Sequence, residues 1–190
     1  MTEGIPQTSL LTLCRFFRRK EGQAGSPTAN TCMTLETIHE IQLLPVSIHD
    51  AWRFFSNPQN LCDITPPSLN FAVTSALPGK MYPGMIVTYR ITPLLNISRQ
   101  WITEITHVIE PHLFVDEQRF GPYRFWHHQH LFREIAGGVE MQDLVHYALP
   151  YGVIGRLAAR LVRRELRHIF AFRREFLAKK FGTLGHRQGK

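Results

Sequence analysis

Long apolar runs are missing from this chain. No stretch approaches the roughly 18 residues that a membrane span requires, so the chain reads as soluble. Export is not expected either, because "MTEGIPQTSLLTLCRFFRRK" places its basic cluster after the apolar run rather than before it. Cysteine is scarce: Cys14, Cys32 and Cys62 are odd in number and far apart. That spacing fits neither a disulfide framework nor a zinc knuckle and suits a reducing, cytoplasmic setting. There is no G-x-S-x-G, no P-loop and no dinucleotide fingerprint. Serine-nucleophile hydrolysis, nucleotide hydrolysis and nicotinamide chemistry therefore have no support, and no cofactor is expected.

What is present describes a globular domain. The 190 residues are 44% apolar and 11% aromatic, enough for one domain with a real core. The net charge of +7 is unevenly spread. Residues 34–155 carry seven basic and eleven acidic groups, whereas residues 156–180 carry nine basic groups against Glu165 and Glu175. A mildly acidic body thus ends in a strongly basic segment. Before Met33, "RRKEGQAGSPTANT" has the composition of a linker. Residues 1–33 are expected to be a disordered lead, with Met33 a plausible start, 34–182 the domain, and 183–190 a flexible tail.

The ordered pattern starts with "LETIHEIQLL", an alternating strand. Ser47 then caps a short helix whose apolar face is Ile48, Ala51, Trp52 and Phe55. Asn57-Pro58 restarts a second helix, and Pro66-Pro67 ends it. From Phe71 to Leu149 the period is two. Met85, Val87, Tyr89 and Ile91 share one face, and Trp101, Thr103, Ile105 and Ile109 share another. Short turns at Gly121-Pro122 and Gly137-Gly138 join the later strands, which predicts an antiparallel meander. One long helix closes the chain and stops at Gly182. Its apolar side is read as Ile154, Ala158, Leu161, Val162, Leu166, Ile169, Phe172 and Phe176. Arg156, Arg160, Arg163, Arg167 and Arg174 run down the other side.

The predicted class is α+β: an antiparallel sheet curved around a long C-terminal helix, with two short helices after the first strand. "LPVSIHDAWRFFSNPQNLCDITPPSLNF", "FVDEQRFGPYRFWHHQHLF" and "DLVHYALPYGVIGRLA" resemble the START/Bet v1-like (SRPBCC) superfamily, in particular its bacterial polyketide-cyclase and coenzyme-Q-binding START group. The resemblance covers about residues 34–182. It implies a helix-grip fold with a hydrophobic cavity between helix and sheet, and no single ligand.

The stretch "GPYRFWHHQHLF" carries three histidines. In a strand His128 and His130 share a face and His127 points away. A four-residue turn Ile135–Gly138 places His130 opposite Asp143, His128 opposite Val145 and Trp126 opposite Tyr147. A three-residue turn Gly121–Tyr123 places Asp116 opposite His128 and Gln118 opposite Trp126. Asp116, Gln118, His128, His130 and Asp143 then cluster in a cavity walled by Tyr89, Trp101, Trp126 and Tyr147. Ile169, Phe172 and Phe176 close it from the helix.

Three readings of that cluster stand side by side. His-x-His with a carboxylate is a zinc or iron ligand set. His130 oriented by Asp143 is an acid–base pair. The third is a set of groups that satisfy one another's hydrogen bonds and hold a ligand's polar head. The third is expected, with no metal, since carboxylate and amide neighbours suffice for both imidazoles. The function expected is cytoplasmic binding of a small hydrophobic or amphipathic ligand: a lipid, isoprenoid or polyketide-like molecule. A cyclase or dehydratase using His130 and Asp143 is the alternative. A ribosome- or nucleic-acid-associated protein working through the basic helix is another. The arginine stripe would meet an acidic partner or an anionic membrane surface, and specific DNA binding is not expected.

Overall fold

The computed structural model describes residues 34–92, 97–150 and 152–184. The expected lead 1–33, the tail beyond 184 and the Arg156 side chain lie outside the described residues. Strand β1 (Glu36–Leu44) is followed by helix α1 (Ile48–Phe55), one-turn helix α2 (Asn60–Asp63) and short strand β2 (Ala72–Val73). Strands β3 (Met85–Ile91), β4 (Arg99–Ile109), β5 (Leu113–Phe120), β6 (Phe125–Ile135) and β7 (Gly138–Ala148) then precede helix α3 (Gly152–Phe181).

All pairings are antiparallel, in the order β1-β7-β6-β5-β4-β3-β2. The two helices carry the chain from one sheet edge to the other, and the meander returns it until β7 pairs with β1. Ser47 caps α1, its Oγ accepting from the Asp50 N–H at 3.1 Å. The buried face of α1 is Ile48, Ala51, Trp52, Phe54 and Phe55, the predicted stripe with Phe54 added. Trp52 meets Phe114 and Phe132 edge to face, at 5.8 and 5.9 Å between ring centroids.

Two register details depart from the sequence reading. The β6–β7 loop is Ala136-Gly137 alone, because Ile135 pairs with Gly138, yet the predicted pairs His130–Asp143, His128–Val145 and Trp126–Tyr147 all form. In β4 the register shifts between Ile105 and His107. The shift inverts the phase, so Val108 packs on the core and Ile109 is 57% exposed rather than inward.

The outward side of β1 carries exposed Ile41 and Leu43, and Leu35 just before it is exposed too. Its inward side presents Glu36 and Glu40 to the helix: Arg163 reaches Glu36 at 2.9 Å and Arg174 pairs with Glu40. Gln42 Nε2 donates to the Arg174 carbonyl at 3.1 Å. Arg160, Arg163, Arg167 and Arg174 are all exposed, and two of them, Arg163 and Arg174, tie α3 to β1.

Gly138 lies where β1 ends against β7. A Cβ there would overlap the Leu44 carbonyl oxygen and come within 3.1 Å of Pro45 Cα, both backbone atoms that no rotamer change can move. Gly138→Ala is expected to cost about 1–3 kcal/mol by forced overpacking. Thermal unfolding should show a melting temperature lower by roughly 5 °C for a chain of this size, and an unchanged value would mean the two strand ends are not held together.

Candidate functional site

Between α3 and the concave sheet face lies a cavity of about 150 Å³. Its walls are mostly apolar, with Asn57, Asn60, Thr65, Thr103 and Glu165 among them and a charged pole at Asp116, His128, His130 and Arg173. Of the residues expected there, Tyr89, Trp101, Asp116, Trp126, His128, His130 and Ile169 do line it.

Five expected residues stand elsewhere. Gln118 does not pair with Trp126, because the β5–β6 ladder stops at Glu117–His127 and residues 121–124 form the connection. Its amide is spent on the turn, with Nε2 donating to the Tyr123 carbonyl at 2.7 Å and Oε1 accepting from the Tyr123 N–H at 3.2 Å. Gly121 makes room for this, since a Cβ there would overlap the Gln118 side chain. Asp143 is buried behind the histidines rather than in the wall. Tyr147 is buried beside Trp126 and Tyr123. Phe176 packs on the main core with Phe54 and Leu177, and Phe172 is not on the buried stripe.

The helix stripe differs in phase from the sequence reading. The buried positions are Leu166, Phe170, Arg173 and Leu177, whereas Leu161 is 51% exposed. Arg173 interrupts the apolar spacing i, i+4, i+11 at i+7, which is why the stripe is hard to see in sequence. Sequence reasoning therefore misses Phe170 and Arg173, and with them Phe114 and Tyr123 on the sheet side.

At the polar pole two carboxylates and two imidazoles form a closed set. His128 Nε2 lies 2.9 Å from Asp143 Oδ1, and His128 Nδ1 lies 3.3 Å from Asp116 Oδ2. His130 Nε2 lies 2.9 Å from Asp116 Oδ2, and His130 Nδ1 lies 3.0 Å from Asp143 Oδ1 without hydrogen-bond alignment. The aligned bonds are thus His128–Asp143 and His130–Asp116, not the predicted His130–Asp143. Trp126 Nε1 donates to Asp116 Oδ1 at 3.3 Å. Arg173 Nη1 approaches Asp143 Oδ1 at 3.2 Å, and its guanidinium lies 4.9 Å from the Phe170 ring centroid. Phe114 stacks on His130 at 4.0 Å.

These contacts set the charges. Burial alone would raise Asp116, but the His128 charge and bonds from both histidines hold it below the usual carboxylate range. Burial likewise opposes ionised Asp143, yet the Arg173 charge and the same two histidines bring it well below that range. His128 moves the other way: burial lowers it, and Asp116 and Asp143 more than offset this, so its pKa is raised. Burial pushes the Tyr89 and Tyr123 phenols up, so both stay neutral donors.

Among the described residues, Trp101 Nε1 and Arg173 Nε are buried donors with no acceptor, whereas Arg173 Nη1 and His130 Nδ1 lie 3.2 and 3.0 Å from Asp143 Oδ1 without hydrogen-bond alignment. An orphaned donor costs about 1–3 kcal/mol. Both orphans belong to residues that line the cavity.

No family model and no curated protein matches the chain. Solved structures do match it. Protein Ms6760 from Mycobacterium smegmatis aligns with a TM-score of 0.55 at 19% identity, over 76% of this chain and 92% of its own. TTHA0849 from Thermus thermophilus aligns at 0.57 and 13%, over 76% and 99%. Ara h 8.0201 aligns at 0.53 and 12%, over 77% and 99%. This is the Bet v1-like helix-grip fold. Identities this low carry the fold alone, and one fold hosts many functions. Within the helix grip, α3 is the gripped helix, and the site lies where its Arg173 faces the β5–β6–β7 histidine pole. Among the described residues no helix is long and apolar enough to cross a membrane.

Proposed function

We propose that this chain binds a small amphipathic molecule in the cavity, with an apolar body against Trp101, Trp126 and Phe170 and acceptor oxygens at the Arg173 pole. A mostly apolar cavity with one charged pole, whose lining residues Trp101 and Arg173 each carry a buried donor without an acceptor, supports this reading. Size narrows the ligand. A volume of about 150 Å³ suits a molecule of one ring or a short chain, below the roughly 300–1,000 Å³ of pockets for larger ligands. A compact polyketide-like or isoprenoid fragment fits better than a long acyl chain, which would require α3 to lift.

Native mass spectrometry of protein purified without denaturant should show a co-purified small molecule, identifiable after extraction. Trp126→Ala should weaken its binding at least tenfold, given aromatic contacts worth about a kilocalorie or more. Changing Arg163 and Arg167 should leave it unaltered. Salt-sensitive RNA in place of a small molecule would instead support a basic docking surface on α3.

One observation favours chemistry on the bound molecule as a second reading. His128 lines the cavity between two carboxylates that raise its pKa, the setting of a general acid. A turnover that survives His128→Gln would remove that reading.

A further inference from the structure

We propose that Asp116, His128 and His130 form a site for one divalent transition-metal ion of the zinc or iron class, its open positions facing the cavity. On the sequence alone a metal is not expected, because neighbouring groups could satisfy the imidazoles. The geometry changes the balance. One oxygen, Asp116 Oδ2, faces both His130 Nε2 at 2.9 Å and His128 Nδ1 at 3.3 Å. One ligand atom from each of the three residues falls within 4.8 Å of the others. Ligand bonds of about 2.0–2.1 Å at octahedral or tetrahedral angles put neighbouring ligand atoms about 2.8–3.4 Å apart. Both edges measured lie in that range. Two imidazoles and one carboxylate on a single face form a ligand set that leaves coordination positions open.

The far side of the set argues for the same ion. A metal-bound histidine characteristically turns its other ring nitrogen toward a carboxylate that fixes its orientation. Here His128 Nε2 is hydrogen-bonded to Asp143 Oδ1 at 2.9 Å, and His130 Nδ1 lies 3.0 Å from the same oxygen without hydrogen-bond alignment. Asp143 does not reach the cavity, whereas Asp116, His128 and His130 all do. The arrangement therefore has a front and a back: three ligands toward the cavity, one positioning carboxylate behind them, and Arg173 at 3.2 Å from that carboxylate. A network serving only its own hydrogen bonds has no need of that polarity.

Charge and the orphaned donors complete the picture. Imidazoles apart, two carboxylates and one guanidinium leave one net negative charge at this pole, and a dication reverses the sign. An anionic oxygen from a cavity ligand then neutralises the site, bound to the metal and to the unpartnered Arg173 Nε–H. The site takes a metal first and an acidic or enolic oxygen second.

The test uses the full-length, untagged chain, stripped with chelator and titrated with Co²⁺ and Zn²⁺ without organic ligand. Its failure therefore leaves the cavity-binding reading standing. Saturable visible absorption of Co²⁺ at one ion per chain is expected, with Zn²⁺ displacing it. His130→Ala and Asp116→Asn should each abolish saturation. Asp116→Asn keeps the shape of the side chain and serves if His130→Ala fails to fold by circular dichroism. Asp143→Asn should weaken binding about 10–100-fold through lost orientation of the ligands. His127→Ala, on the opposite sheet face, should change nothing. The proposal is overturned by no saturable absorption at millimolar Co²⁺. It is equally overturned by binding that survives both His130→Ala and Asp116→Asn, which would put the ion on other residues.

Discussion

Asp143→Ala is expected to lower the stability of the metal-free protein by about 3–5 kcal/mol, the range for breaking a buried charge network from one side. Asp143 is 5% exposed and Arg173 6%. The carboxylate is the partner of Arg173 Nη1 at 3.2 Å and of His128 Nε2 at 2.9 Å. Truncation strands a guanidinium whose Nε already lacks a partner, on the buried face of α3, where it cannot reach water unless the helix moves. For a chain of this size the melting temperature should fall by roughly 10 °C. The cost comes from the charge left behind, so removing that charge should recover part of it. The double variant Asp143→Ala/Arg173→Met should be more stable than Asp143→Ala alone. Urea unfolding with chelator present measures both. A single variant within about 1 kcal/mol of the parent would show that the network does not hold α3 in place.

Trp52→Ala should cost about as much, roughly 3–5 kcal/mol by the usual range for emptying a large aromatic site. Trp52 is 6% exposed and fixes α1 to the sheet through its edge-to-face contacts with Phe114 and Phe132. Neither ring can collapse far into the vacated space, because each belongs to a strand whose backbone is paired on both sides. The effect should also reach the site. Phe114 is the ring stacked on His130, so ligand affinity should fall along with stability. Trp52→Phe, which keeps an aromatic contact, should retain most of both. If Trp52→Ala loses less than about 1 kcal/mol in urea unfolding, the core does not depend on α1.

Much of this molecule is written in local pattern. The alternation of Met85, Val87, Tyr89 and Ile91, the cap at Ser47 and the hairpin register from Phe125 to Ala148 are short-range consequences of period and turn length. The histidine pole is legible for the same reason, since a strand commits His128 and His130 to one face. Three things are not legible. The shift in β4 between Ile105 and His107 has no composition signal, so the alternation places Ile109 inward. Gln118 looks like a wall residue when strand pairing is extended too far, where its side chain instead ties the Tyr123 backbone. Arg173 is hidden because a guanidinium in an apolar stripe reads as the end of the stripe. Only its tertiary partner Asp143, on a different element, makes its burial tolerable.

The ion pairs of Arg163 with Glu36 and of Arg174 with Glu40 lie on one flank of α3, along β1. On the cavity side, Glu165 and Ile169 share the wall with Pro122 and Tyr123 of the β5–β6 connection. The two flanks of α3 are thus fastened differently, by exposed ion pairs along β1 and by the buried Arg173–Asp143 pair against the sheet. Since exposed ion pairs weaken with ionic strength, added salt is expected to loosen the β1 flank while leaving the buried pair little changed.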